Sequence, residues 1–506
     1  MADAKTVTEL LARGDGSAVA IAAPDRAALT YEGLRALADE TIATLNAAGI
    51  GRNDRVGIVL PNGPEMATAF VAVASGATAA PLNPAYRADE FEFYLSDLGA
   101  KALIVQAGDD TPAVGVAEKL GIPVIPLMPL ADEAAGRFRL DAAAGTPAAN
   151  GGPATEEEIA LVLHTSGTTS RPKIVPLSQR NVSASARNIS GWLSLAPEDR
   201  CLNIMPLFHI HGLIAAVLSS LYAGASISCT PGFNALRFFT WMDSEKPTWY
   251  TAVPTMHQAI LSRAGRNAEI IERNPLRLIR SSSSSLPAPV MGELEETFNA
   301  PVIESYGMTE ASHQMASNPL PPAERKPGYV GIAAGPEVGI MSPEGEILAA
   351  GELGEIVIRG ENVTSGYENN PDANAGAFTN GWFRTGDQGV IDEAGYLRLT
   401  GRLKEIINRG GEKVSPREVD DVLMQHPAVL QAVAFAMPHN KLGEEVAAAI
   451  VLREGESLEE KELREFAAKQ LADFKVPRKV LFLEEIPKGA TGKLQRIGLA
   501  EKLGLA

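Results

Sequence analysis

The segment at residues 164–173 combines hydroxyl and basic side chains in a way that suits phosphate binding. It reads His-Thr-Ser-Gly-Thr-Thr-Ser-Arg-Pro-Lys. Hydroxyls and bare backbone N–H groups can surround a phosphate, and Gly167 lets the backbone approach it closely. Arg171 and Lys173 supply the opposite charge. The apolar residues 159–163 that precede this loop predict a buried strand, and a strand that leads into such a loop indicates a triphosphate-binding protein.

Two other interpretations of this loop are a P-loop ATPase and a polar surface turn without a ligand. The P-loop motif needs a glycine directly before its lysine and a hydroxyl residue directly after it. Pro172 and Ile174 occupy those two positions, so the P-loop interpretation is disfavoured. The surface-turn interpretation is compatible with the loop considered by itself, and only the motifs in the rest of the chain disfavour it.

The bulk composition restricts the partners that the protein can have. A length of 506 residues suggests about three folding units. The net charge of −17 disfavours nucleic acid and acidic membrane surfaces, although a local basic site can still hold a small anion. Two cysteines indicate a reducing compartment without a disulfide framework or a structural zinc site. Because residues 1–6 show no secretory signal, we expect a cytoplasmic protein.

The pattern of helices and strands predicts an α/β fold with doubly wound parallel sheets. The clearest predicted elements are helices over 31–48 and 65–80 and strands over 55–60 and 102–105. Residues 212–229 carry no charge, but their serines favour a buried helix followed by a strand over a membrane helix. Short β-like runs separated by turn residues predict a β-rich subdomain at about 327–399, and the tail predicts a small α+β domain.

Further chemistry-bearing residues follow the loop along the chain. His209 and His211 suggest a metal site or, because no matching carboxylate or cysteine set is evident, imidazoles that face an anion. In residues 304–310, Tyr306 can stack on adenine and Glu310 can hold Mg²⁺. Asp387 can accept hydrogen bonds from both ribose hydroxyls. A basic cluster with paired glycines at 401–413 and a lysine in a glycine-containing loop at 487–493 complete the series.

These motifs in this order resemble the adenylate-forming enzymes, which include acyl-CoA synthetases, luciferases and adenylation domains. The resemblance covers essentially the whole chain. It implies an ATP- and acid-binding domain at 1–402, whose β-rich subdomain spans about 327–399, and a small mobile C-terminal domain at 403–506. The small domain would rotate about a hinge between two half-reactions. Ile174 departs from the family's usual glycine and stiffens the turn, with an open effect on ATP affinity.

The resemblance assigns a role to each matching residue. The ATP-binding candidates are Thr165, Ser166, Gly167, Thr168, Thr169, Lys173, Ser282, Ser284, Glu304, Ser305, Tyr306, Asp387 and Arg402. The catalytic candidates are Lys493, His209, Thr309 and Glu310, of which Thr309 would contact the α-phosphate and Glu310 would bind Mg²⁺. Lys404 would be the hinge, and Gly410 and Gly411 would lie beside the tunnel for the CoA thiol.

Within the family, the chain is most similar to oxalate–CoA ligases. The similarity rests on Ser170, the two histidines, and the segments 249–255, 281–285 and 309–313. Oxalate keeps a second carboxylate after one has joined AMP, and burying that charge unpaired would cost several kcal/mol. His209, Ser283 and His313 are the candidates to receive it, although His313 could instead only order the active-site loop.

The expected substrates are therefore ATP, a short carboxylic acid and CoA, with Mg²⁺ as cofactor. A ligase for malonate or a hydroxycinnamate, a stand-alone adenylation enzyme that loads a carrier protein, and a non-catalytic nucleotide-binding protein are the alternatives. Lys493, Glu310 and Asp387 together disfavour the last of these. The sequence does not determine the oligomeric state.

Overall fold

The structure is a computed structural model that describes residues 3–165, 172–488 and 494–506. Within these ranges, one sheet contains seven strands. Their order across the sheet is Phe138–Leu140, Val124–Pro129, Ala102–Gln106, Arg55–Val59, Thr78–Pro81, Ile159–His164 and Ile174–Ser178. The inner neighbours pair parallel and the two edge strands pair antiparallel. Burial on both faces explains why the inner strands are almost entirely apolar.

A second sheet contains nine strands in the described residues. Their order is Ile332–Ala333, His313–Ser317, Val302–Met308, Leu278–Ser282, Trp249–Ala252, Arg200–Asn203, Ser226–Cys229, Val19–Ala22 and Leu29–Thr30. Its central pairs are also parallel. One hydrophobic cluster joins Val56 and Ile58 of the first sheet with Ile21, Ile227 and Leu278 of the second, so the two sheets share a core.

Helices connect most of these strands. They are Val7–Leu11, Tyr31–Ala47, Pro64–Ala74, Ala88–Leu98, Pro112–Leu120, Gln179–Trp192, Ser219–Tyr222, Phe238–Glu245, Pro254–Ala264, Ala268–Arg273 and Ala288–Phe298, with a π-helix at His211–Leu218 and 3-10 turns at Gly265–Asn267 and Thr309–Ala311. The helix Tyr31–Ala47 begins where the side chain of Thr30 accepts a hydrogen bond from the N–H of Gly33, which is a stabilising N-cap.

Two smaller sheets follow. One contains Glu337–Met341, Gly354–Arg359, Trp382–Ile391, Phe378–Thr379 and Leu397–Arg402, with a helix at Pro371–Ala377. The other contains Glu412–Val414, Ile407–Arg409, Gly443–Leu452, Val429–His439 and Lys479–Phe482. The helices beside this last sheet are Pro416–Leu423, Glu460–Ala468 and Leu499–Lys502, with a 3-10 turn at Asp473–Lys475.

The architecture confirms the predicted fold class. The helix predicted at 31–48 and the strands predicted at 55–60 and 102–105 occur with small differences at their ends. The helix predicted over 65–80 was too long, because it ends at Ala74 and a strand follows at Thr78–Pro81. In the described ranges, no helix has the length and apolar character needed to cross a membrane. The uncharged segment 212–229 is instead a buried helix and strand, as predicted.

Candidate active site

The phosphate-binding candidate loop joins two antiparallel strands. Ile159–His164 pairs with Ile174–Ser178, and His164 lies opposite Ile174. Between them, the N–H of Thr165 donates to the carbonyl of Lys173 at 2.9 Å, and the N–H of Lys173 donates to the hydroxyl of Thr165 at 3.1 Å. A strand rather than a helix therefore follows the loop, unlike in a P-loop. Ser166, Gly167, Thr168, Thr169, Ser170 and Arg171 lie outside the described residues.

The unusual Ile174 has a structural explanation. It is the first residue of its strand, its side chain is buried, and it packs in a cluster that includes Phe91 and Val162. Its carbonyl also accepts a hydrogen bond from the N–H of Glu368. The branched side chain therefore contributes to the hydrophobic core beside its strand.

Lys173 and Glu310 are brought together by Tyr367, which the sequence did not indicate. The ammonium of Lys173 lies 4.1 Å from the centre of the Tyr367 ring, and the Tyr367 hydroxyl donates to Oε1 of Glu310 at 2.8 Å. Burial lowers the pKa of Lys173. The negative charge of Glu310 opposes this shift, and the positive charge of Lys404 adds to it. Burial likewise raises the pKa of Glu310, although the bond from Tyr367 opposes the shift. A cation and a carboxylate thus lie close together beside the loop.

Glu310 suits a Mg²⁺ that is shared with a nucleotide. In the described part of the chain, no group of three or more histidine, cysteine, aspartate and glutamate side chains could hold a metal ion. Mg²⁺ often binds through one or two carboxylates together with substrate phosphates and waters. A single buried carboxylate beside Lys173 fits that mode, and Thr309 lies next to it on the 3-10 turn Thr309–Ala311.

A second group of predicted residues meets at Asp387. The Tyr306 hydroxyl donates to its Oδ2 at 2.6 Å, and Nε of Arg402 donates to its Oδ1 at 3.0 Å. Burial, followed by the charge of Asp387, raises the pKa of Tyr306 well above its ordinary value. The same carboxylate raises the pKa of Arg402. Tyr306, Asp387 and Arg402 therefore form one bonded unit, although they come from two different sheets.

Of four other ATP-binding candidates, three show structural contacts and the fourth is exposed. The hydroxyl of Ser282 donates to the carbonyl of Ser305 at 2.9 Å, and the Ser305 hydroxyl lies 2.8 Å from that of Ser317. Glu304 is buried and accepts a hydrogen bond from the N–H of Leu286 at 2.9 Å. Ser284 is exposed. Their predicted contacts with the nucleotide stay predictions.

The candidate acid site centres on His211. Its ring is fully buried, with Nδ1 at 3.0 Å from the Ser283 hydroxyl and Nε2 at 2.6 Å from the Thr251 hydroxyl. The ring centre of His313 lies 5.0 Å away. His209 is half-buried and precedes the π-helix that begins at His211, and its Nδ1 accepts a hydrogen bond from the His211 N–H at 3.3 Å. The structure therefore brings Ser283 and His313 together through His211.

Arg280 is the residue of this site that sequence reasoning missed. It lies in the strand Leu278–Ser282 and is fully buried. Its Nη2 lies 3.2 Å from Oε1 of Gln314 and 3.4 Å from Nδ1 of His313, and its Nη1 lies 3.5 Å from Nε2 of His211. The signal in the sequence was a single arginine directly after two apolar residues, Leu278 and Ile279.

The guanidinium of Arg280 is buried without a counterion in the described part of the chain. No carboxylate of those residues influences its charge, and its Nε makes no hydrogen bond. Burial lowers its pKa to about 9. A buried cation without a counterion is costly, so this arrangement favours a bound anion.

Backbone strain marks the same place. Ser283 and His313 have φ values of +74° and +102°, in the left-handed region that side chains other than glycine rarely adopt. Gly307 lies against His313, where an added Cβ would approach the carbonyl oxygen of His313 to 1.8 Å. Such strained residues cluster at functional sites in proteins.

Of the candidates from the C-terminal part, Lys404 is close enough to Lys173 to influence its pKa, whereas the two glycines lie away from the acid site. Lys404, Gly410 and Gly411 are exposed, and the N–H of Gly410 donates to the carbonyl of Leu442 at 2.9 Å. The structure thus shows no contact of the two glycines with the acid site. Lys493 lies outside the described residues. The base of its loop is described, because Lys488 and Leu494 form an antiparallel bridge.

Lys488 also lines a cavity beside the histidine motif. The cavity has a volume of ≈ 370 Å³, and its walls include Phe208, Phe233 and Met256. Phe208 directly precedes His209. The loop that carries Lys493 therefore begins next to the segment that leads into the acid site.

The fold and the site define an enzyme that handles a nucleotide and an acid, and comparison with known proteins gives the family. The AMP-binding enzyme family profile matches residues 9–368, and the profile of the AMP-binding enzyme C-terminal domain matches residues 418–493. The chain belongs to this family.

Individual relatives match over most of their length. The chain is 46% identical to an oxalate–CoA ligase of Arabidopsis thaliana, over 94% of this chain and 95% of the relative. It is 43% identical to an oxalate–CoA ligase of Saccharomyces cerevisiae, over 89% and 87% respectively. Its structure is similar to ATP-bound MatB from Rhodopseudomonas palustris, with a TM-score of 0.89, 30% identity and 99% coverage of both chains.

Proposed function

We propose that the protein joins oxalate to CoA in an ATP-dependent reaction that passes through an oxalyl-adenylate. An oxygen of one carboxylate attacks the α-phosphorus of ATP, and diphosphate leaves. The sulfur of CoA then attacks the acyl carbon, the C–O bond to AMP breaks so that AMP leaves through its phosphate oxygen, and the thiol proton passes to water. Oxalyl-CoA, AMP and diphosphate are the products.

The observation that carries the choice of acid is the buried guanidinium of Arg280, which has no carboxylate partner among the described residues. An acid with a single carboxylate would lose its charge on adenylation and leave Arg280 without a counterion. A dicarboxylate keeps one negative charge, which can pair with Arg280 and accept a hydrogen bond from the imidazole of His313, whose Nδ1 lies beside that guanidinium. These donors are grouped on or beside neighbouring strands, and we infer that they hold a second carboxylate close to the first. Oxalate is the shortest acid that meets this requirement, and the oxalate–CoA ligase relatives support it.

The residues proposed for ATP lie on the adjoining strands and turns. Tyr306 supplies an aromatic face for adenine, and Asp387, fixed by Tyr306 and Arg402, supplies acceptors for the ribose hydroxyls. Lys173 faces the phosphates with its positive charge. Glu310 would hold Mg²⁺, which when bound would neutralise charge on the phosphate oxygens. Thr309, adjacent to Glu310, is proposed to contact the α-phosphate.

Lys493 is proposed as the cation that stabilises charge in the first half-reaction. Attack of a carboxylate on a phosphate brings two anions together, and negative charge spreads over the equatorial oxygens of phosphorus. A positioned ammonium stabilises that charge by several kcal/mol. His209, half-buried at the start of the π-helix, is proposed to face the same reacting groups.

The test is exchange of labelled diphosphate into ATP with a panel of acids. Oxalate should support rapid exchange, malonate slower exchange, and acetate and a hydroxycinnamate little. With CoA present, mass spectrometry should detect oxalyl-CoA. Exchange with acetate or the hydroxycinnamate but not with oxalate would refute the assignment, and faster exchange with malonate would shift it to that acid.

A further inference from the structure

Thr251 lies directly behind the candidate acid site. It is fully buried in the strand Trp249–Ala252, and the register places it beside Arg280 of the parallel strand Leu278–Ser282. Its hydroxyl oxygen is 2.6 Å from Nε2 of His211 and 3.5 Å from Nη1 of Arg280. One buried hydroxyl therefore touches both the cation and the imidazole at the centre of the site.

The positions of these groups determine which nitrogen of His211 carries the proton. The N–H groups of a guanidinium can only donate hydrogen bonds. Nη1 of Arg280 is 3.5 Å from Nε2 of His211, so a hydrogen on Nε2 would lie beside the N–H groups of a cation. Nε2 is therefore the unprotonated nitrogen, and it accepts the short hydrogen bond from the Thr251 hydroxyl. The proton of the neutral ring is then on Nδ1.

This tautomer decides which hydrogen bonds Ser283 can make. Nδ1 of His211 is 3.0 Å from the Ser283 hydroxyl, and a protonated Nδ1 donates to that oxygen. The single hydrogen of the Ser283 hydroxyl is then available to donate to another group. A carboxylate can only accept hydrogen bonds, so this arrangement suits an acid substrate. The opposite tautomer would accept the Ser283 hydrogen itself and leave only lone pairs to face a carboxylate.

We propose that Thr251 is a positioning residue for the acid substrate, because it holds His211 in the Nδ1-protonated form and thereby makes Ser283 a hydrogen-bond donor to the second carboxylate. The proposal rests on the proposed function, in which that carboxylate occupies this site. Thr251 acts through His211, and Arg280 supplies the positive charge that disfavours the other tautomer. Two successive hydrogen bonds thus connect the buried strand with the hydroxyl that receives the acid.

Three variants separate the hydroxyl of Thr251 from its bulk. Thr251→Val keeps the β-branched shape that suits a strand but removes the donor to His211. Thr251→Ser retains the hydroxyl and should restore the hydrogen bond. Thr78→Val is the matched control, because it removes a buried threonine hydroxyl that donates to the carbonyl of Ile159 at 2.7 Å in the other large sheet. Thermal unfolding should show all three variants folded.

The kinetic measurement is exchange of labelled diphosphate into ATP. In Thr251→Val, the KM for oxalate should rise about tenfold or more, because a hydrogen bond to a charged group is lost. The KM for ATP should stay within about twofold of wild type. Thr251→Ser should keep both constants within about threefold of wild type, and Thr78→Val should change neither. An unchanged KM for oxalate in Thr251→Val, an equal rise of both KM values, or no recovery in Thr251→Ser would overturn the proposal.

A measurement without substrate keeps this inference separate from the choice of acid. NMR nitrogen chemical shifts distinguish the protonated from the unprotonated nitrogen of an imidazole, and the chain has only 7 histidines to label. The signals that disappear in His211→Asn identify those of His211. Wild type should show a protonated Nδ1 and an unprotonated Nε2, and Thr251→Val should shift the Nε2 signal.

A protonated Nε2 in wild type, or identical His211 signals in Thr251→Val and wild type, would refute the positioning role whatever the acid is. If wild type activates an acid other than oxalate, the kinetic comparison is made with that acid. A wrong substrate and a wrong positioning role therefore give different results.

Discussion

At the scale of single residues, two buried charges on neighbouring strands behave differently. Arg280 and Glu304 lie in Leu278–Ser282 and Val302–Met308, which pair in parallel. Burial lowers the pKa of Arg280 to about 9 and raises the pKa of Glu304 to about 7. An arginine cannot readily give up its proton near neutral pH, whereas a glutamate can take one up. Arg280 therefore stays charged when buried and is stabilised by a bound anion. Glu304 can avoid the cost of a buried charge by taking up a proton.

We expect Arg280→Met to weaken oxalate binding selectively. Loss of a buried charge pair costs about 2–5 kcal/mol, so the KM for oxalate should rise about 30-fold or more, while the KM for ATP changes little. The free protein should be as stable as wild type or more stable, because an unpaired buried cation is removed. Steady-state kinetics and thermal unfolding measure both effects.

Leu278→Met in the same strand is the control for altered packing, because it keeps the volume and the charge of the site. It should leave both KM values close to wild type. An equal rise of both KM values in Arg280→Met, together with a large loss of stability, would show that Arg280 only supports the fold.

Glu304 should make the protein less stable as pH rises from about 4.5 to 7. Its pKa is raised from 4.5 to about 7, so between these values the folded state holds more protons than the unfolded state. Stability then falls as pH rises from about 4.5 to 7, by at most about 3 kcal/mol from this group. Glu304→Gln keeps the acceptor for the Leu286 N–H and should remove this part of the pH dependence.

Urea unfolding at pH 5 and pH 8 measures the effect, with the exposed Glu293→Gln on the nearby helix as control. The wild type and Glu293→Gln should lose the same stability between the two pH values, and Glu304→Gln should lose less.

Glu304→Gln also tests the predicted ATP contact of Glu304. If Glu304 contacts ATP directly, this substitution should raise the KM for ATP.

At the scale of elements, the acid site depends on how closely two antiparallel strands approach. Val302–Met308 carries Tyr306, and His313–Ser317 begins with His313. The register places Met308 opposite His313 and Gly307 opposite Gln314, with an irregularity between Tyr306 and Gly307. The strand that presents Tyr306 and the strand that presents His313 therefore meet at a position where only glycine fits.

Gly307→Ala should disturb both ligand sites at once. Its Cβ would lie 1.8 Å from the carbonyl oxygen and 2.6 Å from the carbonyl carbon of His313, so the strands have to separate. We expect a loss of about 2–4 kcal/mol in the free energy of unfolding and a rise in the KM values for both ATP and oxalate. Chemical denaturation and steady-state kinetics measure these changes.

Gly292→Ala provides the matched glycine substitution. Gly292 lies in the helix Ala288–Phe298, and an added Cβ would meet nothing within 4 Å. Because alanine favours helices over glycine by about 1 kcal/mol, this variant should be at least as stable as wild type. A Gly307→Ala variant that matched it in stability and kinetics would contradict the close-approach argument.

Elements with a strong local pattern could be predicted from the sequence, and the others could not. The apolar run at 159–163 and the amphipathic pattern at 31–48 each gave the correct element. The helix predicted over 65–80 was longer than the helix in the structure, because the small residues at 77–80 are equally compatible with a buried strand. The roles of Arg280 and Tyr367 were missed, because a side chain's burial and partners depend on strands distant in the sequence.

At the scale of the whole molecule, the C-terminal part meets the rest through polar contacts. Its sheet packs around its own hydrophobic cluster, which includes Ile407, Val446 and Val480. Across the junction, Nε2 of Gln258 donates to the carbonyl of Leu430 at 2.9 Å, and Nε2 of Gln431 donates to Oε1 of Gln258 at 3.0 Å. Polar contacts of this kind can be exchanged for water at low cost. These contacts are therefore compatible with the proposed domain boundary near Lys404 and with a C-terminal part that moves.

The final prediction tests whether one moving part serves two reactions. Lys493→Ala should reduce diphosphate exchange by at least about 100-fold, because the first half-reaction loses its cation. Thioester formation from pre-made oxalyl-adenylate should stay within about threefold of wild type, because in the proposed mechanism the C-terminal part withdraws Lys493 before the CoA thiol approaches. Lys461→Ala, which changes an exposed lysine in the helix Glu460–Ala468, is the control and should leave both rates unchanged. Equal loss of both half-reactions in Lys493→Ala would mean that the lysine stays at the reacting groups throughout, and a C-terminal part that rotates between the two reactions would then be excluded.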